Sequence, residues 1–220
     1  MRACVLVPSR GRPSNALRCV ESIRATASRV AALVLVDADD PSLLVYQDLG
    51  LPVWVVPPDV RFTGALNHAA EAIHDGYDVL GAFGDDVIFR TPRWDRELAE
   101  TLATPGIAFG DDLIHRGNHP TGVFMSREVY EALGWLALPA VKHQWADDGW
   151  KRLGIGAGVL RYMPRVVIEH MHPAVGKAPM DEGYERVFDA DNAKHDYDGF
   201  MAWQDGGGLR DAIARVRAIR

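Results

Sequence analysis

From Val79 to Phe89 the chain reads Val-Leu-Gly-Ala-Phe-Gly-Asp-Asp-Val-Ile-Phe, one apolar run cut by two adjacent carboxylates, Asp85 and Asp86. The stretch Val79 to Phe83 carries no polar alternation, which is the pattern of a central strand covered on both faces. Gly84 lets the backbone turn sharply before the acids. A buried strand ending in acids belongs to an open α/β sheet, where ligands gather beyond the carboxyl ends of the strands. Paired carboxylates at that edge commonly hold a divalent cation, which in turn holds phosphates. Gly-Asp is also an ordinary turn pair, so the rest of the chain decides.

The remaining elements support a sheet. Ala3 to Pro8 reads as a strand, followed by the polar loop Ser9-Arg-Gly-Arg-Pro13 and a helix from about Ser14 to Ser28, with Ala16, Val20, Ile23 and Ala27 on one face. Ala32 to Val36 is a second strand, ending in the acidic cluster Asp37-Ala-Asp-Asp-Pro41, and Pro52 to Val56 is a third. A helix near Gly64 to His74 then leads into the Val79 strand. This alternation predicts a mostly parallel sheet with helices on both faces and right-handed crossovers. Further on, Thr91-Pro92 reads as a helix start, and Ile107 to Phe109 and Val123 to Met125 as short strands of a mixed sheet. A helix is expected over Ser126 to Leu133 and another over His143 to Gly154, with Asp147 and Asp148 in the first turn of the second. Arg161 to Ile168 reads as the last strand, followed by Glu169-His-Met-His-Pro173. Residues 206–220 read as an amphipathic helix, packed on or extending from a single domain of residues 1–205.

Composition excludes several classes. The chain has 220 residues, 48% of them hydrophobic and 25% charged, an ordinary globular mix. Nothing approaches the roughly 18 uninterrupted apolar residues of a membrane span, and no basic-then-apolar leader opens the chain, so a cytoplasmic protein is expected. The net charge of -6 disfavours a broad nucleic-acid-binding surface. Cys4 and Cys19 fall in a strand and a helix, where buried free thiols are expected.

Taken in order, these segments resemble the GT-A fold glycosyltransferases, in particular the family 2-like nucleotide-sugar transferases, over about residues 3 to 173. Val5-Leu-Val-Pro-Ser-Arg-Gly-Arg-Pro13 is similar to the family's opening nucleotide-contacting segment, Asp37 to its acid at base or ribose, and Gly64-Ala-Leu-Asn67 to its small-residue and asparagine segment. Gly84-Asp-Asp86 takes the place of the D-x-D metal motif, with Gly84 where a first aspartate often stands. Asp147-Asp-Gly-Trp-Lys-Arg152 looks like the segment that carries the catalytic base.

The resemblance implies a single α/β GT-A domain that moves a sugar, of hexosyl type, from a nucleotide-diphosphate sugar such as a UDP-sugar to an acceptor hydroxyl, with inversion. It implies Mn²⁺ or Mg²⁺ at Asp86 with His170 or His172. It places Pro8, Ser9, Arg10, Arg12, Asp37, Asn67, Asp85 and Lys177 at the donor, and Asp148, then Asp147, as base. The acceptor class stays open among saccharide, small molecule and modified nucleic-acid base, as does the oligomeric state. A nucleotidyltransferase of the same fold and a silent nucleotide-sugar or carbohydrate-binding module are the rival readings. The absence of a glycine-rich loop with lysine after the first strand argues against the former. No G-x-G-x-x-G follows that strand either, which disfavours a Rossmann dehydrogenase.

Overall fold

In a computed structural model of the protein, which describes residues 1–219, the chain begins with β1 (Ala3–Pro8), α1 (Pro13–Thr26), β2 (Val30–Asp37), α2 (Leu43–Asp48), β3 (Val53–Val56), α3 (Arg61–Ile73) and β4 (Val79–Ala82). It continues through β5 (Val87–Phe89), α4 (Trp94–Thr101), β6 (Ile107–Asp111), β7 (Val123–Ser126), α5 (Arg127–Leu133), α6 (Ala146–Ala157) and β8 (Leu160–His170). It closes with α7 (Glu182–Val187), α8 (Ala190–Asp205) and α9 (Gly208–Arg217). Arg220, at the end of the expected terminal helix, lies outside the described residues.

All eight strands share one sheet in the order β3-β2-β1-β4-β7-β6-β8-β5. The pairs β1–β2, β2–β3, β1–β4 and β6–β8 are parallel, whereas β7 runs antiparallel to both β4 and β6. As its sequence demands, β4 is buried on both faces. Leu80 and Ala82 join the larger core under α3, α5, α6 and α9, while Val79 and Phe83 join the core under α1 and α4. Cys4 and Cys19 are buried free thiols. Among the described residues no helix is long and apolar enough to cross a membrane.

β8 does two jobs. Its first half lies along β6, and past an irregularity at Gly110/Asp111 its last residues pair antiparallel with β5, with Val87 opposite His170. Met171 N–H then donates to the carbonyl of Asp86 at 2.8 Å. The two strands form a ribbon that sets Asp86 beside His170.

Two sequence expectations need correction. Thr91 does not cap α4: its hydroxyl donates to the Arg165 carbonyl and accepts from Val167 N–H on β8, and the helix begins after Arg93. α6 starts at Ala146 rather than His143, because the N–H groups of Lys142, His143 and Gln144 all donate to the buried carboxylate of Asp196 and Trp145 is left-handed at φ 68°. α8 had no clear signal. Its interior Gly199 reads as a helix breaker, yet it is where the helix presses against the Ala140 carbonyl, leaving no room for a side chain. The terminal helix packs on the domain, with Ala212 and Val216 fully buried in the larger core.

Candidate active site

Beyond the carboxyl ends of β1, β2 and β4 lies a cavity of about 450 Å³. Pro8, Ser9, Arg10, Arg12, Asp37, Asp85, Asp86, Asp147, Asp148, His170 and His172 all line it. Residues from segments some 160 positions apart thus converge as the sequence order implied.

The two central acids have different environments. Asp85 is 5% exposed; its Oδ2 accepts from the Ser9 hydroxyl at 2.6 Å, and Arg12 Nη1 stands 3.4 Å from its Oδ1. Burial, then the neighbouring charge of Asp86, pushes the Asp85 carboxyl up from its ordinary value. Burial works the same way on Asp86, but hydrogen bonds from His170 and Tyr184 outweigh it and hold that carboxyl below the usual range. Asp86 is therefore the ionised member of the pair. Its Oδ2 takes the Tyr184 hydroxyl at 2.6 Å and lies 3.2 Å from His170 Nε2. Its Oδ1 folds back over Gly84, where a Cβ would stand 2.6 Å away. Glycine at the first position of the motif leaves room for that carboxylate.

The donor set fits a hard divalent cation. One carboxylate and one imidazole face each other, His170 Nδ1 is buried without a hydrogen-bond partner, and among the described residues no third acidic, His or Cys ligand atom lies within 4.8 Å of both. Two protein ligands leave most of a six-coordinate shell to phosphate and water, as is usual for such ions at nucleotides. His172 has another occupation. Its Nδ1 accepts from Ala174 N–H at 3.1 Å, and its ring packs edge-on against Tyr184 at 5.4 Å.

A strap closes over the site. Arg12 pairs with Asp181, its guanidinium lies 4.1 Å above the Tyr184 ring, and Asp181 caps α7 by accepting from Tyr184 N–H at 3.1 Å. At the far end, Arg10 bridges Asp37 at 2.9 Å and Asp39 at 2.6 Å. Arg61 and Arg186 join that end of the cavity. Also along the cavity, Trp145 stacks on Phe200 at 5.2 Å immediately before the first turn of α6, and His119 Nε2 stands 3.6 Å from Asp147 Oδ2.

Two expected donor residues lie elsewhere. Asn67 points into the fold, donating to the Ala137 carbonyl at 2.8 Å and accepting from Leu136 and Ala137 N–H, so it ties α3 to the segment after α5. Lys177 sits 2.8 Å from Glu169, which it shares with Arg90; Glu169 directly precedes His170 on β8, so their side chains leave the strand on opposite faces, and Lys177 is not among the residues that line the cavity. Sequence reading missed Tyr184, for which the only signal was the helix start Asp181-Glu-Gly-Tyr184, and gave no role to His119, whose signal was its place in a polar loop after a strand.

The chain has a GT-A fold. Three solved structures share it: the mannosyltransferase PcManGT from Pyrobaculum calidifontis in complex with GDP-Man and Mn²⁺ (15% identity over 99% of this chain and 74% of that one, TM-score 0.59), S. aureus TarS 1-349 in complex with UDP-GlcNAc (9%, 100% and 82%, TM-score 0.59), and glucosyl-3-phosphoglycerate synthase from Mycobacterium tuberculosis in complex with Mn²⁺, UDP-Glc and phosphoglyceric acid (15%, 91% and 79%, TM-score 0.59). The sequence matches no family model and no curated protein. Identity this low speaks to the fold alone.

Proposed function

We propose that the protein is a metal-dependent glycosyltransferase that moves a sugar from a nucleotide-diphosphate sugar, in the first instance a UDP-sugar, to an acceptor hydroxyl. The observation that carries this reading is the Asp86–His170 pair, 3.2 Å apart inside a cavity that is also lined by two acids from the first turn of a helix. A binding module has no use for that second set of acids.

Asp86 and His170 would hold the cation, and an imidazole beside a carboxylate suits Mn²⁺ better than Mg²⁺. Bound there, the ion supplies Lewis-acid charge for the diphosphate as it leaves. Arg12 adds a fixed guanidinium at the same end of the cavity, and Asp37 with Arg10 offers an acceptor and a donor to the nucleoside. An acid of α6 takes the proton of the attacking hydroxyl, and with a single base and no protein nucleophile invoked the displacement occurs in one step with inversion. The wall is firm: Asp196 fixes residues 142–144, and the Trp145–Phe200 stack holds a backbone conformation costing about 1–2 kcal/mol for a residue with a side chain.

Calorimetry with UDP and GDP, each with and without MnCl₂, tests the reading. Cation-dependent binding that disappears in Asp86→Ala is the expected result. Binding of equal strength without the cation, or in the variant, refutes it.

A further inference from the structure

We infer that Asp147, held by His119, is the group that takes the proton of the acceptor hydroxyl, and that Asp148 is not; this rests on the glycosyl-transfer reading above. Neighbouring residues of a helix point about 100° apart, so two adjacent acids do not serve the same point in space. The surroundings single out Asp147. Its Oδ2 lies 3.6 Å from His119 Nε2, while among the described residues no hydrogen bond or ion pair engages Asp148. The charge of Asp147 also acts on His170, beside Asp86. Asp147 therefore stands between the cation-binding end of the cavity and the loop after β6.

That loop is built to hold His119 still. Asp112, 3% exposed, accepts from the N–H groups of Ile114, His115 and Arg116 at 2.9, 2.7 and 2.9 Å and from the Thr121 hydroxyl at 3.2 Å. One carboxylate thus folds the whole excursion and returns His119 and Thr121 to the cavity. The charged groups facing His119 are Asp147, Asp148 and Lys151 on α6, with the His115 ring 5.5 Å away on its own loop.

In the reaction the acceptor oxygen bonds to the anomeric carbon as its O–H bond breaks, and the proton passes to Oδ1 of Asp147. The bond from the anomeric carbon to the diphosphate breaks with its electron pair staying on the diphosphate. His119 takes no part in the bonds that form and break. As a positioning residue it holds its Nε2 3.6 Å from Oδ2, which leaves Oδ1 for the acceptor.

The test compares Asp147→Asn, Asp148→Asn, His119→Ala and His119→Gln in UDP or GDP release from UDP-glucose or GDP-mannose with MnCl₂, water serving as acceptor. Asp147→Asn is expected to lose about 10²–10⁴-fold in kcat, with nucleotide affinity unchanged, and Asp148→Asn to lose far less. His119→Ala should lose about 10–100-fold in kcat but not in donor KM. His119→Gln, which returns an N–H to the Nε2 position, should recover most of the rate. Independently of turnover, NMR titration should show the His119 pKa, raised mainly by Asp147, falling in Asp147→Asn and little changed in Asp148→Asn. Loss of turnover in Asp148→Asn with Asp147→Asn active, or a His119 titration indifferent to Asp147→Asn, overturns the assignment. A wild-type protein that binds neither nucleotide with Mn²⁺ overturns the glycosyl-transfer reading instead.

Discussion

Replacing Tyr184 with phenylalanine should make the protein bind a divalent cation more tightly while making it less stable without one. The Tyr184 hydroxyl, 6% exposed as a residue, donates to Asp86 Oδ2 at 2.6 Å, and burial and the Asp86 charge raise its pKa so far that it remains a donor at any physiological pH. A hydrogen bond to a charged group is worth about 1.5–3 kcal/mol net. A cation approaching the same oxygen displaces the hydroxyl and loses that contribution. At the lower end, about 1.5 kcal/mol, removing the competitor raises cation affinity by roughly tenfold. The same loss falls on the cation-free protein, where about 1.5 kcal/mol corresponds to a Tm lower by roughly 3–6 °C for a chain of this size. Titration calorimetry with MnCl₂ and thermal melts with and without saturating Mn²⁺ measure both effects. In saturating Mn²⁺ the two melts should converge. Cation affinity that is unchanged or weaker in Tyr184→Phe would show that the tyrosine supports the cation site rather than competing for it, and the reasoning would fail.

Asp112→Ala leaves three backbone donors without their carboxylate and should cost about 2–4 kcal/mol in chemical denaturation. Burial opposes ionisation of Asp112, but those three N–H groups depress its pKa, so its contribution is complete above the unfolded value of about 4 and is lost as pH falls through the lower folded value; a wild-type stability curve lacking that acid limb would contradict this. Asn67→Ala should lower stability by about 2–3 kcal/mol and leave nucleotide affinity unchanged, since its side chain serves the fold; weakened nucleotide binding in the folded variant would return it to the donor site. Gly84→Ala should weaken cation binding by pushing Asp86 Oδ1 away from its seat, and unchanged Mn²⁺ affinity by calorimetry would count against that crowding.

The parallel half of the sheet and the acids at its edge were legible because burial on both faces writes itself as an unbroken apolar run, and because a carboxylate after such a run has few other places to be. Asp37 and Asp86 needed nothing more than that and their order. Asn67 and Lys177 were misplaced because the same residue type can serve a ligand or the fold, and only the partner decides: a pair of backbone groups for Asn67, Glu169 for Lys177. The helix start Asp181-Glu-Gly-Tyr184 marks where Tyr184 sits but not its partner. A tyrosine 98 positions from its partner has no local pattern, and the polar helices α7 and α8 that carry and buttress the strap give weak periodicity. Long-range contacts made by single polar side chains are what sequence patterns omit.

The ribbon of β5 and β8 has a consequence for how such a protein can change over time. Asp86 and His170 are 84 positions apart in sequence, yet their separation depends on a strand pairing that begins one residue after Asp86 and ends at His170. The segments that bound the rest of the cavity, from Asp112 to Thr121 between β6 and β7 and from Gly176 to Phe188 after β8, lie outside this ribbon. Insertions, deletions and exchanges in either loop can therefore remake what is accepted at the mouth while the cation pair keeps its spacing. Inheritance of the chemistry and invention of the specificity are assigned to different stretches of backbone.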